Sequence, residues 1–144
     1  MALLPLPEPP APAGGYAPVI IRHRVGFVSG QFPIRDGVLV FKGRIGAELT
    51  PDQGRLACEI AALNVLAQIG AATGGFAALD GLLRLDGHVA SADGFTAQPA
   101  ILDVASRIFT DRLGERGTHA RTAFAPSRLP LDAAVELCVT FAVR

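Results

Sequence analysis

The run Thr50-Pro51-Asp52-Gln53 constrains the fold more tightly than any other part of the chain, because it fixes where a helix begins. A threonine at the cap accepts a bond from the backbone three residues on, and a glutamine there returns it. Proline at the first helical position gives up an amide that has no helical partner anyway. The residues that follow are apolar and rich in alanine. Leu56, Ile60, Leu63 and Ala67 recur at helical spacing and predict a core-facing stripe, with Ala57, Ala61 and Ala62 keeping the helix slim. Gly70 or Gly74-Gly75 ends it.

Strands flank this helix on both sides. Val19-Ile20-Ile21-Arg22-His23 and Gly26-Phe27-Val28-Ser29-Gly30 read as a tight hairpin. Asp36-Gly37 is a turn signal before a short strand or bulged extension running to Gly43. Leu82 to Ala90 is a third main strand, with Gly87 as a bulge or a point of close approach. A second helix is predicted from Gln98 to Leu113, with Thr96 as its cap and Ile101, Ala105, Ile108 and Phe109 on its apolar face. Two C-terminal strands complete the order ββαβαββ. The expected fold is α+β, a two-layer sandwich of a mixed sheet with both helices on one face. The five prolines between Pro5 and Pro12 make residues 1–13 an extended arm, leaving 14–144 as one domain.

Composition narrows the function. Only 18% of residues are charged, against about 25% in a typical domain. With a mean hydropathy of +0.38, this points to self-association covering apolar surface. The net charge of +0 supplies no basic excess for a phosphate backbone, so nucleic acid is not an expected partner. The termini and apolar runs give neither a signal peptide nor a membrane span, and a cytoplasmic location is expected. Cys58 and Cys138 sit among apolar residues and read as small buried hydrophobes. His23, His88 and His119 are scattered without ligand spacing, so neither a metal nor a cofactor is expected.

Against this background two charges stand out. Arg121 lies in the strand His119-Ala120-Arg121-Thr122-Ala123-Phe124, and Glu136 lies in Val135-Glu136-Leu137-Cys138-Val139, with Leu129-Pro130 breaking the chain between them. A charge in an apolar strand is costly unless it is paired or binds something. Arginine grips a carboxylate through two parallel hydrogen bonds, and a carboxylate can activate a water. The pair suggests a pocket for a small carboxylic acid and hydrolytic chemistry on it. His119 precedes Arg121 by two, so both face one side of the strand and His119 joins the pocket.

The same residues carry a family resemblance. Ala120-Arg121-Thr122, Arg128-Leu129-Pro130 and Val135-Glu136-Leu137 resemble the C-terminal signature of the RidA/YjgF family of imine deaminases. Gly15-Tyr16 followed by Phe27-Val28-Ser29-Gly30-Gln31-Phe32-Pro33 resembles that family's first hairpin, and Asn64 sits near the centre of the first helix as expected. The resemblance covers residues 14–144. It implies the chorismate-mutase-like architecture, a homotrimer, and ligand clefts between subunits. It also implies that Arg121 anchors the substrate carboxylate, Glu136 holds the hydrolytic water and the Tyr16 hydroxyl approaches the substrate. Ser29, Gly30 and the backbone of Ala123 then line the cleft.

The chain resembles a divergent branch. Ala123 stands where the family often has cysteine, and Pro99 falls near its substrate-lining asparagine, with Gln98 the nearest replacement. Phe32, Phe95 and Phe124 suggest a more apolar pocket. The expected activity is hydrolysis of a 2-imino acid such as 2-iminobutanoate or 2-iminopropanoate to the keto acid and ammonia. The alternatives are a non-catalytic trimeric module that binds small carboxylates, and a pathway-specific deaminase for a larger imine.

Overall fold

The computed structural model of the chain describes residues 2–144. The elements run β1 (Val19–Arg22), β2 (Val25–Gln31), β3 (Ile34–Arg35), β4 (Val38–Leu39), α1 (Pro51–Ala72), β5 (Leu79–Val89), α2 (Gln98–Leu113), β6 (Ala120–Phe124) and β7 (Val135–Val143). A five-stranded sheet has the order β1-β2-β7-β5-β6, with β5 and β6 parallel and the other neighbours antiparallel. Both helices pack on one face, giving the two-layer α+β sandwich expected from the sequence.

Local chemistry explains most of the boundaries. His23 and Arg24 both take left-handed backbone (φ 50 and 67), closing β1 onto β2 in two residues. Asp36 and Gly37 (φ 52 and 77) do the same for the small β3-β4 hairpin, as two-residue hairpin turns require. The predicted cap of α1 is present in full: Gln53 N donates to Thr50 Oγ1 at 3.2 Å, and Thr50 N donates to Gln53 Oε1 at 2.9 Å. The cap of α2 differs. Its first turn follows Ala97, not Thr96, and no side chain caps it. Pro99 near its start leaves one fewer amide to satisfy.

Of the stripe predicted on α1, Ile60 and Ala67 are buried as expected, and Leu56 and Leu63 are corrected. Leu56 is 51% exposed and Leu63 is half-buried, whereas Ala57, Cys58, Ala61, Ala62, Val65, Leu66 and Ile69 face the core. Small residues sit where the helix meets α2 and the sheet, because closer approach buries more of the larger side chains opposite. On the sheet side those are Leu85, Leu137, Val139 and Phe141, all buried. On α2 they are Ile101, Leu102 and Phe109, beside the small buried Ala105, while Ile108 is only half-buried. Gly87 is the predicted point of close approach, since a Cβ there would collide with Leu102. By length and composition α1 could cross a membrane, but 67% of its most apolar window is buried in this fold.

The proline-rich N-terminal segment lies along its own chain. Leu6 packs against the core, and Gln68 Nε2 donates to the Pro10 carbonyl at 2.8 Å. Arg112 donates to the Leu4 carbonyl. The far face of the sheet has no helix over it, and there Phe27 is 56% exposed and Ile20 41%.

Candidate active site

Strand register decides what the candidate residues can do together. Across paired strands, partners project from the same face. Arg121 pairs with Leu85, which is fully buried beneath the helices, so Arg121 projects to the helix side. Glu136 pairs with His88 and alternates with the buried Val135 and Leu137, so it projects from the opposite face. The single pocket expected for Arg121 and Glu136 is therefore not assembled within one chain. The residues form two clusters instead.

The first cluster surrounds Arg121 at the sheet edge, since β6 has a neighbour on one side only. Its Nη1 donates to Asp103 Oδ1 at 2.8 Å and to Ser106 Oγ at 3.1 Å, and Nη2 donates to the Pro99 carbonyl at 3.4 Å. All three partners lie on α2. Nε takes part in none of these bonds, so a carboxylate gripping the Nε–Nη2 edge competes only with the long bond from Nη2 to the Pro99 carbonyl. His119 shares this side as expected, with Nε2 2.8 Å from Ser106 Oγ and its ring edge-on to Phe109. Ala123 pairs with Gly87 on the same side and is exposed. Asp103 and Ser106 were not anticipated from sequence. Their signal was the spacing of Pro99, Asp103 and Ser106, which puts all three on one face of a helix.

The second cluster lies on the uncovered face. The Glu136 carboxylate rests on Gly30, where a Cβ would collide with Oε2. Gly30 in turn lines a small cavity with Tyr16, Pro18, Gln31 and Phe32. Ser29 Oγ donates to the Ala17 carbonyl at 2.7 Å, pinning the segment that carries Tyr16. His88 Nδ1 is 3.1 Å from the Glu136 carbonyl, and its ring stacks on Phe124 with centroids 4.8 Å apart. Burial pushes the Glu136 carboxyl above its ordinary value, against the opposing pull of His88. A raised proton affinity suits a carboxylate that must take a proton from water.

Of the three phenylalanines expected around one pocket, Phe32 and Phe124 belong to this second cluster, while Phe95 packs against the core. The Gln98 amide is turned inward, donating to Ser91 Oγ at 3.0 Å and to the Phe95 carbonyl at 2.7 Å, so it lines neither cluster. Burial raises the Cys58 thiol to about 12 and that of half-buried Cys138 to about 11, which leaves both protonated. Among the described residues no three His, Cys, Asp or Glu side chains are grouped to hold a metal ion.

The chain matches the protein family described as "YjgF/chorismate_mutase-like, putative endoribonuclease" over residues 1–143. It is 35% identical over 133 residues to Protein TCP17 of Trypanosoma cruzi, covering 92% of this chain and 83% of that protein. A Shewanella oneidensis MR-1 structure described as a "putative endoribonuclease" superposes with a TM-score of 0.92 at 32% identity, covering 96% of this chain and 92% of the other. The structure of Atu1372 from Agrobacterium tumefaciens, described as of unknown function, gives 0.86 at 33% identity, covering 89% and 82%.

Proposed function

Because this chain belongs to the YjgF/chorismate-mutase-like family, we propose that it hydrolyses a small 2-imino acid to the 2-keto acid and ammonia, in clefts built between copies of itself. The observation that carries this reading is the split between the clusters. Arg121 and Glu136 lie on opposite faces of one sheet, and with Arg121 read as the carboxylate anchor and Glu136 as the holder of water, a second copy is what brings the two roles together. The sparse charge and the exposed Phe27 and Ile20 on the uncovered face favour such association, and a closed trimer is the assembly we infer. Residues 14–144 form the catalytic unit, with residues 1–13 as an arm.

In this mechanism the substrate carboxylate binds the Nε–Nη2 edge of Arg121. Glu136 of the adjacent copy orients a water beside the imine carbon and takes its proton as the oxygen adds. The tetrahedral carbinolamine then collapses. Its nitrogen receives first that proton and then the carbinolamine hydroxyl's, both through Glu136, and leaves as ammonia as the carbonyl forms. Tyr16 and the backbone at Gly30 and Ala123 line the cleft, and Phe124 supplies an apolar wall. Positioning and electrostatics suffice for an electrophile this reactive, and no cofactor is required. Two alternatives use the same clefts, a carboxylate-binding module without turnover and a deaminase for a larger imine.

The test generates 2-iminopropanoate or 2-iminobutanoate with an amino-acid oxidase in a semicarbazide trap. The wild type is expected to divert imine from the semicarbazone to the keto acid, and Arg121→Ala to match the blank. A wild type that also matches the blank refutes deamination of these substrates.

A further inference from the structure

A second reactive group adjoins Arg121, and the deamination above makes no use of it. Ser106 Oγ is 2.8 Å from His119 Nε2, and His119 Nδ1 is 2.6 Å from the Gly117 carbonyl oxygen. A carbonyl only accepts, so Nδ1 carries the imidazole proton, and in the neutral ring Nε2 is the acceptor. Ser106 therefore donates its hydroxyl proton to His119. The same oxygen accepts a hydrogen bond from Arg121 Nη1 at 3.1 Å. One hydroxyl thus has a base on one side and, on the other, a guanidinium nitrogen that is also paired with the Asp103 carboxylate at 2.8 Å. A base so placed takes the proton in concert with attack of the oxygen on an electrophile.

The surroundings hold this arrangement still. His119 meets the ring of Phe109 at 75°, and Phe109 is fully buried one helical turn beyond Ser106. The Gly117 carbonyl occupies the place that a carboxylate fills in other nucleophile-base pairs, setting the tautomer and orientation of the imidazole. Ser106, His119 and Arg121 are each half-buried beside the edge strand, so the hydroxyl is neither sealed in the core nor fully solvated.

We propose that Ser106 is a nucleophile activated by His119, and that this half-site processes acyl esters bearing a free carboxylate, such as monoesters of short dicarboxylic acids. The free carboxylate takes the Nε–Nη2 edge of Arg121. Ser106 Oγ attacks the ester carbonyl as its proton passes to His119. The bond to the alcohol oxygen breaks and His119 protonates that oxygen. Water then attacks the acyl-serine with His119 again as base, releasing the dicarboxylic acid and restoring the hydroxyl. The proposal goes beyond the deaminase reading and shares with it only the anchoring role of Arg121. Glu136 has no part in it.

The test treats the full-length protein with an uncharged fluorophosphonate, followed by intact mass and peptide mapping. The expected result is one adduct per chain on Ser106, formed as the Oγ–P bond replaces P–F, fluoride leaves and the proton passes to His119. Ser106→Ala abolishes it. His119→Gln slows labelling by about 100-fold or more, with circular dichroism confirming that the variant is folded. No adduct on the wild type, an adduct on another residue, or an unchanged rate in folded His119→Gln overturns the proposal. Should His119→Gln not fold, the mapped adduct on wild type and its loss in Ser106→Ala decide alone. The probe is neutral and needs neither Arg121 as anchor nor Glu136, so the result is independent of the imine assay.

Discussion

Arg121 and Glu136 stand on opposite faces of the same sheet, Arg121 in register with Leu85 under the helices and Glu136 in register with His88 on the uncovered side. Each side chain is held where it is by its own surroundings. Asp103, Ser106 and the Pro99 carbonyl tie down the guanidinium. The carboxylate lies over a strand position kept clear by Gly30. Neither can cross the sheet without dismantling it, and any chemistry that uses both needs two copies of the chain.

Gly30 is required by that contact. A methyl group there would displace the Glu136 carboxylate. Gly30→Ala is expected to lower kcat/KM for imine hydrolysis by about 100-fold, the cost of misplacing a catalytic group by roughly 1 Å. It should leave the melting temperature nearly unchanged, because Gly30 is outside the hydrophobic core. Steady-state kinetics beside thermal melts check this, and unaltered kinetics would contradict the placement of Glu136.

The ionisation of Glu136 opposes folding. Burial raises its folded-state value above that of the unfolded chain. Below the ordinary carboxylate range both states are protonated and there is no penalty. As pH rises from there to the folded value, the unfolded chain loses its proton first and stability falls. Glu136→Gln is therefore expected to melt above wild type at neutral pH and together with it near the acid end. Thermal melts across pH check the sign, and a variant that is less stable at neutral pH would contradict it.

Two apolar residues of similar appearance in sequence should respond oppositely to truncation. Phe141 is fully buried and packs over Gly26, whereas Leu56 on α1 is 51% exposed. Phe141→Ala is expected to cost about 3–5 kcal/mol, and Leu56→Ala within about 0.5 kcal/mol. Urea titration measures both, and a large loss at Leu56 would restore the stripe read from sequence.

That contrast shows where sequence was informative. The start of α1 was readable because capping is settled within four residues, and the β1-β2 hairpin because alternation is local. Which face of α1 is buried was not readable, because Leu56 and Leu63 are as apolar as Val65 and Leu66. Arg121 and Glu136 were recognisable as charges out of place in apolar strands. Their faces were not, because those depend on pairing with β5, whose parallel partnership with β6 leaves no mark in either segment. The contacts of Arg121 with Asp103 and Ser106 were half visible, as helical spacing on α2 with nothing to say which strand it faced.

The most direct test of a site shared between copies mixes two inactive variants. Arg121→Ala removes the proposed anchor and Glu136→Gln the proposed base, and each alone is expected to match the blank in imine hydrolysis. Co-expressed in equal amounts, they assemble mixed rings in which about a quarter of the clefts pair an intact Arg121 with an intact neighbouring Glu136. Recovery of about a quarter of wild-type activity is the predicted result. No recovery from mixed assemblies shown by mass spectrometry to contain both chains would contradict a composite site.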